Sequence, residues 1–455
     1  MLHLYDTALG SIEPLTLRKP GELSMYVCGP TVYGDPHIGH GRATLTWDVL
    51  RRYATWSGLV VRHVSNVTDV DDKIIRRANE EGTSAEEVAR RWEKAWWEAM
   101  DRLGNLHPDV RPHATEYIDQ MVDLIADLID RGKAYVADDG VYFASETVED
   151  YGLLTHQSPD ALKEGVSRLE EGEERGKRSP IDFVLWKAAK PGEPTWDSPW
   201  GPGRPGWHTE CVVMSLDLLG DGFDLHGGGY DLIFPHHEDE RAQAVAAGNR
   251  FSRRWVHHNM IVVGDGTKMS KSLGNYVTLT DLLAAHDPRA YRMLTLQSHY
   301  RSPLSVNADN LAAAERAVQG LDAFAREFAG ARGGVPDPGV VERFKAFMDD
   351  DLKTPQAVAV LFEAQSAARA AGASSERAAG LAAAVFELWE EALGLRLDDS
   401  GGEITAEARE KAALRDAARA ARDYRRADGL RDELAAEGWI VEDTPAGTKL
   451  RRAAR

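Results

Sequence analysis

The stretch "FPHHEDERAQ", Phe234 to Gln243, sets two histidines against three acids at the start of a helix. Imidazole and carboxylate are both metal ligands, and residues i and i+4 share one helix face. His236 with Glu240 can therefore reach one ion, and spacing alone also allows His237 with Glu240 or His236 with Asp239. The chain holds two cysteines, Cys28 and Cys211. They read either as buried thiols or as the soft half of a metal site. A second pair of histidines, His37 and His40, stands three apart in "DPHIGH" with Gly39 between them. At a helix N-terminus this arrangement suits phosphate, because free N–H groups and the positive end of the dipole point outward. "KMSKS" places Lys268 and Lys271 in a loop after an apolar run. Two lysines among small hydroxyl residues make a cationic clamp for charge developing on a leaving group.

Elements must hold these groups. "LSMYVCG" is an apolar run ending at Gly29 and reads as a buried strand. Asp35 as cap and Pro36 at the first position predict a helix from "DPHIGH", with apolar Leu45, Val49, Tyr53 and Trp56 and a stop at Gly58. "LVVRHV", Leu59 to Val64, predicts the next strand. Strand, crossover helix and strand imply a parallel sheet, which binds ligands at the carboxyl ends of its strands. Residues 116–196 read as an insertion: a helix stopped by Gly132, a hairpin about Asp139-Gly140, the polar loop "EEGEERGKRS", and a segment rich in Pro, Gly and Trp. Residues 307–397 are Ala-rich with helical periodicity and predict a bundle. "DDSGGE" marks a linker, followed by one long basic helix and a hairpin in "GWIVEDTPAGTKLRR". Arg415, Arg419, Arg422 and Arg426, spaced four, three and four, fall on one face of that helix and can follow an RNA backbone.

Composition bounds the function. With 455 residues the chain exceeds one ordinary core. A net charge of −19 argues against a protein that coats nucleic acid, and predicts localised, salt-sensitive contacts instead. No apolar run approaches the ~18 residues of a membrane span, and the N-terminus shows no export signal, so no membrane partner and a cytoplasmic protein are expected. A disulfide is not expected there.

Taken together, "MYVCGPTVYGDPHIGHGR", "NVTDVDDKIIRRA", "DFVLWKAAKPGEPTWDSPWGPGRPGWHTEC", "FDLHGGGYDLIFPHHEDE" and "TKMSKSLGN" resemble the cysteinyl-tRNA synthetase family of class I aminoacyl-tRNA synthetases. "MDDDLKTPQAVAVLFE" and the last thirty-odd residues extend the likeness. A cysteine ligase acting on an amino sugar shares the zinc and nucleotide motifs but lacks a comparable tail. The resemblance implies an α/β fold: a split Rossmann-like catalytic domain (1–115 and 197–260), a connective insertion (116–196), a KMSKS-bearing region that contacts the tRNA stem (261–306), a helical bundle (307–397) and a small mixed anticodon-binding domain (403–455). It implies one zinc on Cys28, Cys211, His236 and Glu240, binding the substrate thiolate, with His237, Glu238 and Asp239 as supporting or solvated neighbours. It assigns phosphate and leaving-group roles to His37, His40, Lys268 and Lys271, the nucleotide to Gly39, Lys271, Gly227 and Gly228, and the amino acid to Thr68, Trp207, His226 and Asp231. ATP with Mg2+, L-cysteine and tRNA(Cys) are the implied partners of a monomer, with the arginine stripe meeting tRNA. No editing domain is expected, since a site that requires a thiolate discriminates by ~10⁴–10⁵ without one.

Overall fold

The computed structural model describes residues 1–166, 176–263, 267–268, 278–399, 406–421, 423–437, 439–444 and 447–452. Among them, four parallel strands carry the site: β1 (Glu22–Val27), β2 (Val60–Ser65), β3 (Leu225–Gly229) and β4 (Trp255–His258), in the order β4-β3-β1-β2. β1 is apolar and buried along nearly its whole length, as a central parallel strand must be. Met25 stands opposite His63 on one side and Leu225 on the other, and Val27 opposite Ser65 and Gly227. The chain leaves β1 toward β2 and comes back on the other side as β3. The switch point between β1 and β3 opens a crevice at their carboxyl ends.

Helix α1 (Ile38–Trp56) is the crossover between β1 and β2, and it buries Leu45, Val49 and Tyr53 as its periodicity predicts. Its cap is His37, not Asp35. His37 Nδ1 accepts from the His40 amide at 3.3 Å, and His40 Nδ1 accepts from the His37 amide at 3.2 Å, a reciprocal box made of two imidazoles. Asp35 instead accepts from the Thr280 hydroxyl at 2.8 Å. Helices α2 (Trp207–Leu219) and α3 (Glu238–Ala246) flank β3 in sequence.

The insertion folds as a four-stranded antiparallel sheet of Ala134–Ala137, Gly140–Phe143, Phe183–Ala188 and Gly203–Pro205. The hairpin turns at Asp138-Asp139, one residue before the expected position, because Ala137 pairs with Gly140. Gly203–Pro205 completes this sheet although it lies beyond 196 in the chain. Most of "EEGEERGKRS" lies outside the described residues. Ile261–Val263 pairs with Thr267–Lys268 and with Leu304–Val306. The bundle comprises Ala308–Glu327, Pro338–Met348, Thr354–Ala371 and Glu376–Glu387. Its Phe324, Phe344 and Trp389 share one continuous core with Leu45, Leu50 and Tyr53 of α1.

The single basic helix expected near the C-terminus is two helices, Ala406–Ala420 and Tyr424–Ala436. Asp423 ends the run by capping the second, its carboxylate accepting from the Arg426 amide. The four arginines therefore do not line one helix. Arg415 is 3% exposed, and its Nη1 donates to Thr448 Oγ1 of the terminal hairpin at 2.6 Å. Arg419 and Arg426 are exposed on different helices, and Arg422 lies outside the described residues. No described helix is long and apolar enough to cross a membrane.

Candidate metal centre and nucleotide cavity

Four side chains from three parts of the fold converge at the switch point. Cys28 follows β1, Cys211 lies in the second turn of α2, and His236 and Glu240 bracket the start of α3. Their ligand atoms all lie within 4.8 Å of one another. Cys28 Sγ is 3.5 Å from Cys211 Sγ and 3.4 Å from Glu240 Oε1. His236 Nε2 is 2.9 Å from Glu240 Oε1 and 3.7 Å from Cys211 Sγ. Cys28, His226, His237 and Glu240 form a second, overlapping group with the same closeness. His226 Nε2 lies 3.5 Å from Cys28 Sγ and 3.1 Å from Glu240 Oε2.

The donor set fits zinc. Two thiols, an imidazole and a carboxylate, three of the four side chains buried, match the mixed soft and hard ligands that zinc accepts in tetrahedral sites. The electrostatics show how strongly these four groups act on one another. Burial pushes the Cys28 thiol well up, and Cys211 and Glu240 beside it push the same way. Burial also opposes ionisation of Cys211, but hydrogen bonds with Cys28 and His236 outweigh it and lower its pKa. Burial works to raise the Glu240 carboxyl, yet His226 and His236 hold it well below the carboxylate range. Burial works to lower the His236 imidazole, yet Glu240 and Cys211 raise it to about 10.

The neighbours set the ligands' orientation. Trp207 stacks on the His236 ring at 3.8 Å and 15°. His208 Nδ1 lies 3.0 Å from His236 Nδ1. His237 Nδ1 reaches His257 Nε2 at 2.8 Å, and His257 Nδ1 reaches the Thr7 hydroxyl at 2.7 Å. None of His237, Glu238 and Asp239 is solvated: each is at most 1% exposed. Glu238 accepts from the Leu154 amide, and Asp239 from the Tyr151 hydroxyl. Their polar groups serve packing against the 150s segment, which no local pattern could reveal. Thr68 donates to Glu210 Oε2 at 2.6 Å, and burial lifts the Glu210 carboxyl well above its usual range despite that donor.

A cavity of about 320 Å³ opens beside this cluster. Cys28, His37, Gly39, His40, Gly228 and Asp231 line it. Thr68, Trp207, His226 and Gly227 are not part of its lining; Trp207 and His226 pack instead against His236 and Glu240 of the candidate metal cluster. The stacked rings of His37 and His40 lie 3.5 Å apart at the N-terminus of α1. Gly39 permits this, because a Cβ there would lie 2.8 Å from the His37 ring. At Gly227 the missing side chain leaves room for the Trp47 indole, which a Cβ would meet at 2.5 Å. A Cβ on Gly228, which lines the cavity, would meet the His237 ring at 2.6 Å. Sequence reasoning missed Trp47, Tyr33, Trp96 and His258 in the cavity wall. Trp96, whose ring meets His40 edge-on at 5.1 Å, sits in an ordinary amphipathic helix, Ala85–Arg102, with no chemical signature. Lys268 ends the strand Thr267–Lys268, and Lys271 lies outside the described residues.

The family model described as the class I (C) catalytic domain of tRNA synthetases matches residues 14–316, and a DALR domain model matches residues 343–398. The chain is 45% identical to a cysteine–tRNA ligase of Alkalilimnicola ehrlichii over 99% of its own length and 100% of that protein's. It is 46% identical to one of Halorhodospira halophila, again over 99% and 100%, and 44% identical to one of Rubrobacter xylanophilus over 95% and 96%. Among solved structures, a Mycobacterium tuberculosis methionyl-tRNA synthetase with methionyl-adenylate aligns at a TM-score of 0.57 and 16% identity, over 82% of this chain and 89% of that one. A LeuRS of Agrobacterium radiobacter in complex with tRNA aligns at 0.61 and 11%, over 83% and 84%. These last two show a shared fold. With the catalytic-domain model spanning most of the chain and end-to-end identity to several ligases of one specificity, the chain belongs to the cysteine–tRNA ligase family of class I tRNA synthetases.

Proposed function

We propose that the chain joins L-cysteine to the 3′ end of tRNA(Cys) through a cysteinyl-adenylate, with zinc on Cys28, Cys211, His236 and Glu240 selecting the substrate thiol. The observation that carries this is the placement of the four donors beside the cavity, at the carboxyl ends of β1 and β3. Zinc, when bound, would supply a soft Lewis acid that favours a thiolate over the hydroxyl of serine.

The chain's own groups do the positioning. Asp231, in the turn after β3, faces the cavity where the amino group of cysteine would lie. Trp207 and His226 fix the ligand shell, and Thr68 with Glu210 fixes the loop after β2. His37 and His40 offer ring N–H groups and the start of α1 to the phosphates. ATP, carried with Mg2+, lies across Gly39 and Gly228 toward the β4 edge, because the segment bearing Lys268 and Lys271 follows from that edge. The cysteine carboxylate attacks the α-phosphate in line, and the two lysines hold the departing pyrophosphate. Catalysis here is positioning and charge screening. A hydroxyl of the 3′-terminal ribose then attacks the carbonyl carbon of the adenylate, forming the ester as the acyl–phosphate bond breaks and AMP leaves. Arg419, Arg422 and Arg426 are the arginines offered to tRNA, while Arg415 holds the terminal hairpin. The protein works as a cytoplasmic monomer.

Charging of bulk tRNA with labelled cysteine tests the whole reading. Cysteine-specific, ATP-dependent charging is expected, and equal charging with serine overturns it.

A further inference from the structure

The cavity extends past the residues that this chemistry uses. At one edge of the sheet it reaches the end of β4 and Met260 and Ile261. At the other it takes in His63 and Ser65 of β2 together with Trp97, Asn105, Leu106 and Pro108. Ser65 pairs with Val27 beside the cavity mouth, and His63 pairs with Met25. Residues two apart on a strand share a face, so His63 lies on the same side as Ser65 and about 7 Å deeper.

His63 is the unexplained group in this branch. It is 7% exposed, and neither of its ring nitrogens has a hydrogen-bond partner among the described residues. Its backbone N–H is held by Asp109 at 2.7 Å, so the strand position itself is fixed. Burial holds its pKa at about 3, which leaves one N–H donor and one acceptor on a neutral ring. Leaving both buried and unmet costs stability, so the pair calls for a partner. Trp97, Leu106 and Pro108 add apolar surface to its lining. Asn105 adds an amide: Arg292 Nη2 donates to its Oδ1 at 3.0 Å, and its Nδ2 lies 3.5 Å from the Met100 sulfur. The branch thus offers a nitrogen heterocycle one imidazole nitrogen of His63 and the N–H of the Asn105 amide.

We propose that this branch receives the adenine of the acceptor's 3′-terminal adenosine, with His63 accepting a hydrogen bond from the exocyclic amine. The proposal rests on the reading above, in which the adenosine of ATP occupies the β4 edge and the acceptor ribose approaches the mouth near Cys28 and His40. A nucleoside with its ribose at that mouth carries its base to the depth of His63.

The test varies the substrate first. In the wild-type protein, tRNA ending in purine riboside, which lacks the 6-amino group, should lose about tenfold in kcat/KM against the same tRNA ending in adenosine. In His63→Phe, which keeps a flat ring and removes both nitrogens, the same replacement should cost less than about twofold. A wild type indifferent to the terminal amine overturns the proposal, as does an equal penalty in both proteins, which a merely structural His63 would give. Cysteine-dependent ATP–pyrophosphate exchange needs no acceptor and is measured in the same preparations. Loss of exchange in the wild type strikes the reading of the site, whereas exchange without a terminal-base preference strikes this proposal alone.

Discussion

His236 is fixed by three different interactions: the Trp207 stack at 3.8 Å, the contact of its Nδ1 with His208 at 3.0 Å, and Glu240 at 2.9 Å from its Nε2. A ligand held this way has its free ring nitrogen chosen for it, and such supporting contacts typically matter 10–100-fold for metal affinity. His208→Leu should therefore weaken zinc binding by about that factor in a chelator competition, and unchanged affinity would contradict the arrangement. His63 gives a second residue-scale prediction. Its folded pKa of about 3 lies below the ordinary 6.5, so the unfolded chain takes up the proton first. Its contribution is fully present above pH 6.5 and is lost as pH falls toward 3. At about 1.4 kcal/mol per unit, it accounts for roughly 3 kcal/mol between pH 6.5 and 4. Urea unfolding at pH 7 and pH 4.5 should show a smaller acid loss for His63→Phe than for the wild type; equal losses would refute this.

Helix α1 is held at its start and at its middle by polar contacts that no local pattern announces. At its start two histidines cap each other, although Asp35 is the residue type that usually caps. Further along, buried Asp48 accepts from Arg292 at 2.5 Å and from Arg52 at 2.9 Å. Burial works to raise the Asp48 carboxyl, and the two guanidinium groups outweigh it. Arg292 also donates to the carbonyls of Leu103, Gly104 and Leu393, joining α1 to the segment before Pro108 and to the end of the bundle. Arg292→Met removes one partner of a buried pair and should cost about 3–5 kcal/mol in chemical denaturation; a loss below about 1 kcal/mol would show that Arg52 alone satisfies Asp48. Much of the catalytic sheet was legible from sequence. Apolar runs mark β1 and β2, helical period marks α1, and the cysteine, histidine and acid motifs meet where a parallel sheet puts its ligands. The rest depended on distant partners. Gly203–Pro205 becomes a strand only beside Phe183–Ala188, Trp47 enters the site only because Gly227 leaves room, and Asp423 breaks a helix whose periodicity runs on.

At the scale of the whole molecule, hydrophobic continuity sets the units. The catalytic sheet's helix α1, the helix Pro288–Leu296 and the bundle contribute to one core, whereas Ala408, Ala412, Leu434, Trp439 and Leu450 make a separate cluster in the C-terminal helices and hairpin. A chain ended after residue 399 should keep its fold and its cysteine-dependent ATP–pyrophosphate exchange and lose most tRNA charging. Loss of both activities together would show that the last segment supports the catalytic fold. The central claim, however, concerns one small volume at the switch point, where the chain gathers its two cysteines. Zinc-edge X-ray absorption on the zinc-loaded protein, with and without L-cysteine, tests it most directly. The account predicts that the sulfur count rises from two to three when cysteine is added and stays at two with serine; an unchanged count with cysteine would contradict it.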